Sequence, residues 1–204
     1  ATLLLALIFV RPLFDLVRFA AGSQLFSYIL LIPFVSAFLI RQRRKTLPAD
    51  SGPWWPGTAG FGLAGGAVLL FYALTSPRWW QAEQNYLAAT MLAAVLFFGA
   101  VCSWFPGRAF LRATAFPMSL LIFLVPFPVF LTDGIDTFLQ HGSAVAAGWM
   151  FALAGTPVVD RGLVFQLPGI TLQIAPECSG IHSTVVLLMT SLLAGHLFLR
   201  TPWK

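Results

Sequence analysis

Long apolar runs separated by short polar or basic turns make up most of this chain. An apolar run of about 20 residues can cross the hydrocarbon core of a bilayer as one helix. The pattern predicts the tail of a first helix over 1–10 and a loop or interfacial segment over 11–24. Further helices are predicted over residues 25–40, 58–75, 85–105, 113–131 and 178–199. Three prolines are expected to break the helix over 113–131.

The pattern changes in the stretch before the last helix. Residues 132–136 are predicted to form a polar turn, and residues 137–154 are helical in composition but polar enough to be interfacial or half-inserted. Residues 155–175 show three short alternating stretches separated by turn sequences, which predicts a small β-element. A sheet with open edges cannot lie exposed in lipid, so it is expected to cap the bundle at the membrane surface.

The composition indicates a polytopic membrane protein. Of the 204 residues, 58% are hydrophobic and only 9% are charged, whereas soluble domains carry about 25% charged residues. The predicted fold class is therefore an all-α polytopic membrane protein, a helix bundle with a small β-element before its last helix. We interpret the net charge of +5 as a feature of membrane topology and not of nucleic-acid binding.

The distribution of basic residues predicts the orientation of the chain. Four cations lie within residues 41–45, directly after a predicted helix, and Arg108 and Arg112 follow another. Cytoplasmic turns are enriched in such residues, so both turns are assigned to the cytoplasm. If 137–154 does not cross the membrane, Cys178 lies on the outer face. If it crosses, Cys178 lies inside and the cations are divided more evenly, so the charge distribution favours the outer face by a small margin.

Both ends of the sequence lie beside apolar runs, and the chain contains few cysteines. Ala1 begins inside one such run and Lys204 follows another. We therefore expect a fragment of a longer membrane protein that lacks both true ends. Two cysteines, Cys102 and Cys178, are too few for a disulfide framework or a zinc site, and no cofactor is expected.

The stretch Glu177-Cys178-Ser179-Gly180-Ile181-His182 carries the candidate chemistry, where the β-element meets the last helix. Unpaired N–H groups and the dipole at a helix N-terminus favour an anion such as a thiolate, the nucleophilic form of cysteine. Ser179 and Gly180 are small enough for a substrate backbone to come close. His182 is four residues after Cys178, on the same face of a continuous helix, and a thiol near an imidazole is typical of a nucleophile and its base. A lone cysteine is more often a small buried side chain, so a structural Cys178 stays open.

These residues resemble the exosortase/archaeosortase family of membrane-embedded cysteine transpeptidases, and the cysteine block is the specific part of the resemblance. Other matching stretches extend it over most of the chain. They are Gly155-Thr156-Pro157-Val158, Leu167-Pro168-Gly169-Ile170, Phe116-Pro117 through Leu124-Val125-Pro126-Phe127-Pro128, and Ser27-Tyr28-Ile29 to Arg41-Gln42-Arg43-Arg44. The resemblance implies one truncated transmembrane domain over 1–204, with an extracytoplasmic β-element before the catalytic helix.

The resemblance also implies a membrane cysteine protease or transpeptidase that acts on exported proteins. Its substrates would carry a C-terminal sorting tail of the PEP-CTERM type, with a short motif (often Pro-Glu-Pro), an apolar helix and a basic end. Cleavage would occur at the outer face of the cell inner membrane, through a thioester on Cys178, which matches the family nucleophile. His182 stands where many relatives have arginine. His182, Glu177, Ser179 and Gly180 would assist the reaction or line the substrate site.

The family further uses an arginine and a histidine from later membrane helices, and both are expected beyond Lys204. The sequence as given is therefore expected to be inactive by itself. The implied partners are exported proteins with sorting tails and the lipid bilayer, with no nucleic acid. The oligomeric state, the acceptor, and the choice between transfer and hydrolysis stay open.

Two other classes of function are compatible with the residues alone. A transporter or an envelope/polysaccharide assembly protein would use Cys178 only for packing and would keep its function after Cys178→Ala. A membrane acyltransferase or lipid-modifying enzyme would also need a base and polar groups at the membrane surface. A covalent adduct between the thiol and a sorting-tail peptide would separate both from a transpeptidase.

Overall fold

The computed structural model describes residues 7–22, 26–42, 52–75, 82–167, 169–175 and 180–198. Contacts divide the chain into two compact units, Ala1–Pro128 and Val129–Lys204. Helices make up most of the described part of each unit, and a small three-stranded sheet lies in the second. The predicted fold class, an all-α membrane protein with a small β-element before its last helix, is confirmed. The single domain over 1–204 stays a prediction.

The first unit is built from α-helices joined by short turns. They are α1 (Val10–Gly22), α2 (Ile32–Gln42), α3 (Trp55–Leu74), α4 (Glu83–Trp104), α5 (Gly107–Ala113) and α6 (Ala115–Leu120). Two 3-10 turns accompany them: Ser27–Leu30 precedes α2, and Leu121–Leu124 follows α6.

Helix α1 occupies the stretch that was predicted as a loop or interfacial segment over 11–24. Its buried side chains are Pro12, Leu16 and Ala20, which lie four residues apart and therefore form one stripe. Both arginines of this helix are exposed. The loop alternative is wrong, because the charged residues lie off the buried stripe and do not interrupt the helix.

Helices α3 and α4 form an antiparallel pair and are long and apolar enough to span a membrane. Trp55 packs against Trp104 at one end, with ring centroids 4.6 Å apart, and Tyr72 lies 6.0 Å from Tyr86 at the other. In the most apolar 18 residues of each helix, 56% of the α4 residues are buried but only 11% of the α3 residues. Helix α4 is therefore the central helix of the first unit, and α3 is peripheral.

Glycines bring these two helices close together. A Cβ atom on Gly99 would lie 3.3 Å from the Phe61 ring, and one on Gly65 would lie 3.3 Å from the Phe97 ring. Each helix therefore receives a phenyl ring over a glycine of its partner, as small residues at membrane helix interfaces permit.

The helix predicted over 113–131 is interrupted several times. Helix α5 ends at Ala113, and the segment Ala115–Leu124 continues at an angle of 73° to it. Helical structure stops after Leu124, and Pro126 and Pro128 lie in the extended stretch that follows. Proline lacks an N–H donor and clashes with the preceding helical turn, which explains the stop. Helix α5 and the segment Ala115–Leu124 together are long and apolar enough for a broken membrane span or a re-entrant loop.

The second unit contains one long helix, the sheet and the last helix. These elements are α7 (Val129–Leu153), β1 (Val159–Asp160), β2 (Val164–Leu167), β3 (Ile170–Gln173) and α8 (Ile181–Phe198). Helix α7 runs through the polar turn predicted over 132–136, so that prediction is wrong. Asp133 and Gly134 are exposed on the helix surface, where polar groups need no break in the backbone. Helix α7 is not among the described helices that are apolar enough to span.

Candidate active site

The three strands form an antiparallel sheet in the order β1-β2-β3. Strand β2 pairs with β3 in a register that joins Val164 to Gln173 and Leu167 to Ile170. The two residues between Leu167 and Ile170 are Pro168 and Gly169, a turn sequence, and this short connection determines the register.

One aromatic side chain holds the sheet on the rest of the second unit. Phe165 of β2 is only 1% exposed, and its ring lies 5.5 Å from the ring of Phe151, near the end of α7. Strand β3 is exposed along its whole length, including the apolar side chains of Ile170 and Leu172. The sheet is therefore buried at Phe165 of β2 and exposed along β3.

Strand β3 leads directly to the cysteine block. After the strand, the Ile174 N–H donates a hydrogen bond to the Leu163 carbonyl at 2.9 Å, which extends the pairing by one residue. The description stops at Ala175 and resumes at Gly180. Glu177, Cys178 and Ser179 lie outside the described residues.

Gly180 lies directly before the last helix. Its φ is +73°, a left-handed conformation that side-chain-bearing residues rarely adopt. Its carbonyl accepts hydrogen bonds from both the backbone N–H and the hydroxyl of Thr184, each at 2.9 Å. Regular helix then runs from Ile181 to Phe198, so the last helix begins three residues after the position predicted for its start.

The later start of α8 changes the predicted relation between Cys178 and His182. His182 is the second residue of α8, but the left-handed Gly180 lies between the two and interrupts regular helical spacing. The argument that they share a helix face four residues apart therefore does not hold. A contact between them would depend on the path of the intervening chain.

Two residues that the sequence analysis did not single out stabilise the described elements on either side of the cysteine block. Phe165 holds the sheet, and Thr184 ties the first turn of α8 to Gly180. Phe165 is central in a stretch of alternating pattern, and this position could have indicated a buried side chain. Thr184 could not be identified from the sequence, because its hydrogen bond depends on the conformation of Gly180 directly before the helix.

The other cysteine and the acidic residues form no second centre in the described part of the chain. Cys102 is a buried free thiol within α4. Among the described residues, no group of three or more His, Cys, Asp or Glu side chains is placed to hold a metal ion. Cys102 is therefore best understood as a small packing residue.

Comparison with known proteins extends the picture beyond the described residues. Residues 20–204 match the family model described as transmembrane exosortase. The match includes α3 and α4, which are long and apolar enough to span a membrane, the sheet, the cysteine block and α8. No curated protein and no solved structure matches the chain.

Proposed function

Because the chain belongs to the transmembrane exosortase family, we propose that it is a cysteine protease or transpeptidase that cleaves C-terminal sorting tails of exported proteins. The tails would be of the PEP-CTERM type, and the reaction would pass through a thioester on Cys178. Family membership by itself supports a membrane enzyme of the protease or transpeptidase kind. The cysteine chemistry and the tail specificity are the further steps of the proposal.

The observation that carries the proposal is the family match, which runs through the cysteine block. The described residues on either side of the block support it. The exposed strand β3 ends at Gln173, and α8 begins at Ile181. The strand before such a segment can bind an extended peptide along its exposed edge. The helix after the segment has unpaired N–H groups in its first turn.

In the proposed first step, the Cys178 thiolate attacks the carbonyl carbon of the scissile peptide bond. The tetrahedral intermediate then collapses, the C–N bond breaks, and the leaving amine takes a proton from a general acid. The enzyme retains the acyl group as a thioester. A water molecule or an acceptor nucleophile then attacks the thioester and gives its proton to the conjugate base of the general acid. The carbon–sulfur bond breaks, the product is released, and the Cys178 thiolate is restored.

The start of α8 supplies candidate groups for the oxyanion. The first intrahelical hydrogen bond runs from the Thr184 N–H to the Gly180 carbonyl. The N–H groups of Ile181, His182 and Ser183 precede it and have no acceptor within the helix, so they are suited to a developing negative charge. We assign Glu177, Ser179, Gly180 and His182 to substrate positioning or assistance.

We further propose that the protein lies in the cell inner membrane with Cys178 on the extracytoplasmic side. The antiparallel pairing of α3 and α4 brings Trp55 and Trp104 to one end, and Arg108 follows directly. Tryptophan at an interface followed by basic residues is typical of the cytoplasmic side. That end is therefore assigned to the cytoplasm.

The test is processing of an exported substrate with a sorting tail, in cells that produce the protein in its full length. Cys178→Ala is expected to abolish cleavage while the protein still inserts into the membrane. Cys102→Ala is the matched control, because it removes the other cysteine, and it should leave cleavage in place. Persistent cleavage by Cys178→Ala would overturn the cysteine mechanism and favour a transporter or assembly protein.

A second measurement identifies the covalent step. A tail peptide with an electrophile at the scissile position should form an adduct with the wild-type protein, and mass spectrometry should locate it on Cys178. The Cys178→Ala variant still contains Cys102, so loss of the adduct in that variant would show that the reaction is specific to Cys178.

A further inference from the structure

The first unit contains a groove of about 750 Å³ that the catalytic proposal does not use. Its walls come from α3, α4, α5 and the segment Ala115–Leu124. Most of its lining is apolar and includes Phe61, Leu96, Met118 and Ile122. We call this space the α5 groove, and we call the part lined by the exposed Arg108 and Arg112 of α5 its mouth.

Two arginines from α5 line the mouth of the α5 groove. Arg108 and Arg112 are four residues apart, on one face of the helix, and both are exposed. The guanidinium carbon of Arg108 lies 5.5 Å from the centroid of the Trp54 ring, which also lines the groove. Among the described residues that line the groove, none carries a carboxylate. The described lining of this apolar space therefore carries two positive charges and no negative side chain.

The mouth and Leu96 lie at different heights along α4. Arg108, at the mouth, lies beside Trp54, and Trp55 packs against Trp104 at the same end of the helix pair, the kind of tryptophan cluster found at membrane interfaces. Leu96, which also lines the groove, lies eight residues before Trp104 on α4, which corresponds to about 12 Å at ~1.5 Å per residue. The groove thus extends from its cationic mouth toward the middle of a helix that is long and apolar enough to span a membrane.

We propose that the α5 groove binds one anionic phospholipid, with the phosphodiester headgroup on Arg108 and Arg112 and an acyl chain along the apolar walls. Guanidinium groups match phosphate oxygens in charge and geometry. The apolar walls match a hydrocarbon chain in chemistry, and the volume falls within the ~300–1,000 Å³ typical of small-molecule sites. The occupant is a lipid and not a free phosphate ion, because a free ion would leave the apolar walls without a partner.

Charge also argues against the sorting tail as the occupant. The proposed tail ends in basic residues, and these would meet Arg108 and Arg112 at the mouth, where like charges repel. An anionic headgroup has the opposite sign. The lipid site is a separate property of the protein and does not need Cys178.

The experiment uses the full chain in lipid nanodiscs and a phospholipid with a photoreactive group on its acyl chain. Phosphatidylglycerol and phosphatidylcholine probes of the same chain length are compared, and mass spectrometry locates the labelled peptide. We expect phosphatidylglycerol to label the walls formed by residues 111–122 and 95–99 several-fold more than phosphatidylcholine. Equal labelling by the two lipids would overturn the proposal.

Paired variants separate the α5 groove from general surface charge. Arg108→Gln with Arg112→Gln should reduce the preference for phosphatidylglycerol by about fivefold for each arginine removed. Arg18→Gln with Arg41→Gln removes two exposed charges outside the groove and should keep the preference. If both pairs lose the preference equally, the attraction is nonspecific and the site is refuted.

A second pair of variants tests the apolar part without changing any charge. Ala115 is an exposed residue that lines the groove, so Ala115→Phe should fill the space and reduce lipid labelling. Ala59→Phe, at an exposed position outside the groove, is the control and should not. Labelling of the same peptide by a photoreactive sorting tail would reassign the groove to the substrate. Cys178→Ala should keep lipid labelling, so failure of the catalytic proposal is distinguishable from failure of this one.

Discussion

The rings of Phe151 and Phe165 lie 5.5 Å apart at an interplanar angle of 52°, and this contact joins the end of α7 to the central strand of the sheet. Phe165 is almost completely buried, whereas β3 is exposed along its length. The strand that leads to the cysteine block therefore depends on its neighbour β2 for its position. Stability of the sheet and geometry of the proposed active site should accordingly change together.

Removing the Phe165 ring should loosen the sheet. We expect Phe165→Ala to lower the free energy of unfolding of the second unit by about 3–5 kcal/mol, the range for deletion of a buried aromatic ring. Thermal unfolding in detergent, together with substrate processing, measures both consequences. Phe138→Ala, at an exposed position of α7, is the matched control and should change neither. Full processing by Phe165→Ala would show that the sheet does not position the cysteine block.

The left-handed conformation of Gly180 determines which substitutions this position should tolerate. Gly180→Ala should lower the free energy of unfolding by about 1–2 kcal/mol, because a Cβ atom disfavours this backbone conformation. Processing should fall as the chain before α8 changes its path. Gly180→Asn should retain more activity, since asparagine tolerates the left-handed region. Gly195→Ala, within the regular part of α8 and with open space around it, is the control. Equal activity of the Ala and Asn variants would contradict the conformational explanation.

The contact between α3 and α4 should be sensitive to volume at Gly99. Gly99→Leu places side-chain atoms against the Phe61 ring, and overpacking of this kind lowers the free energy of unfolding by about 1–3 kcal/mol. Gly62 on α3 has open space at the corresponding Cβ position, so Gly62→Leu should be tolerated. The melting temperatures of the two variants in the same detergent provide the comparison. Similar values would mean that the helices can move apart at little cost.

The proposed orientation is testable by cysteine labelling in intact cells. In a chain that lacks both native cysteines, a cysteine at position 108 should resist a membrane-impermeant maleimide until the cells are opened. A cysteine at position 161, beside β1, should react from outside. The opposite result at position 161 would move the sheet, and with it Cys178, to the cytoplasmic side.

Local pattern was sufficient for the spanning pair and for the sheet. The helices predicted over 58–75 and 85–105 correspond closely to α3 and α4, because an uninterrupted apolar run has few alternatives in a membrane. The three strands occur where alternation and turn residues predicted them. Helix α8 begins at Ile181 and not at the predicted residue 178, because nothing in the apolar run reveals that Gly180 adopts a left-handed conformation.

The amino-acid sequence by itself determined the membrane class, the β-element before the last helix and the resemblance to the exosortase family, because hydrophobic runs, turn residues and motifs are local properties. Only the tertiary structure decided that α4 is central, that α1 is a helix, and that Phe165 supports the sheet. It also brought Trp54 beside Arg108 at the mouth of an apolar groove. These features depend on contacts between residues that are distant along the chain, and such contacts follow from packing and not from any local pattern.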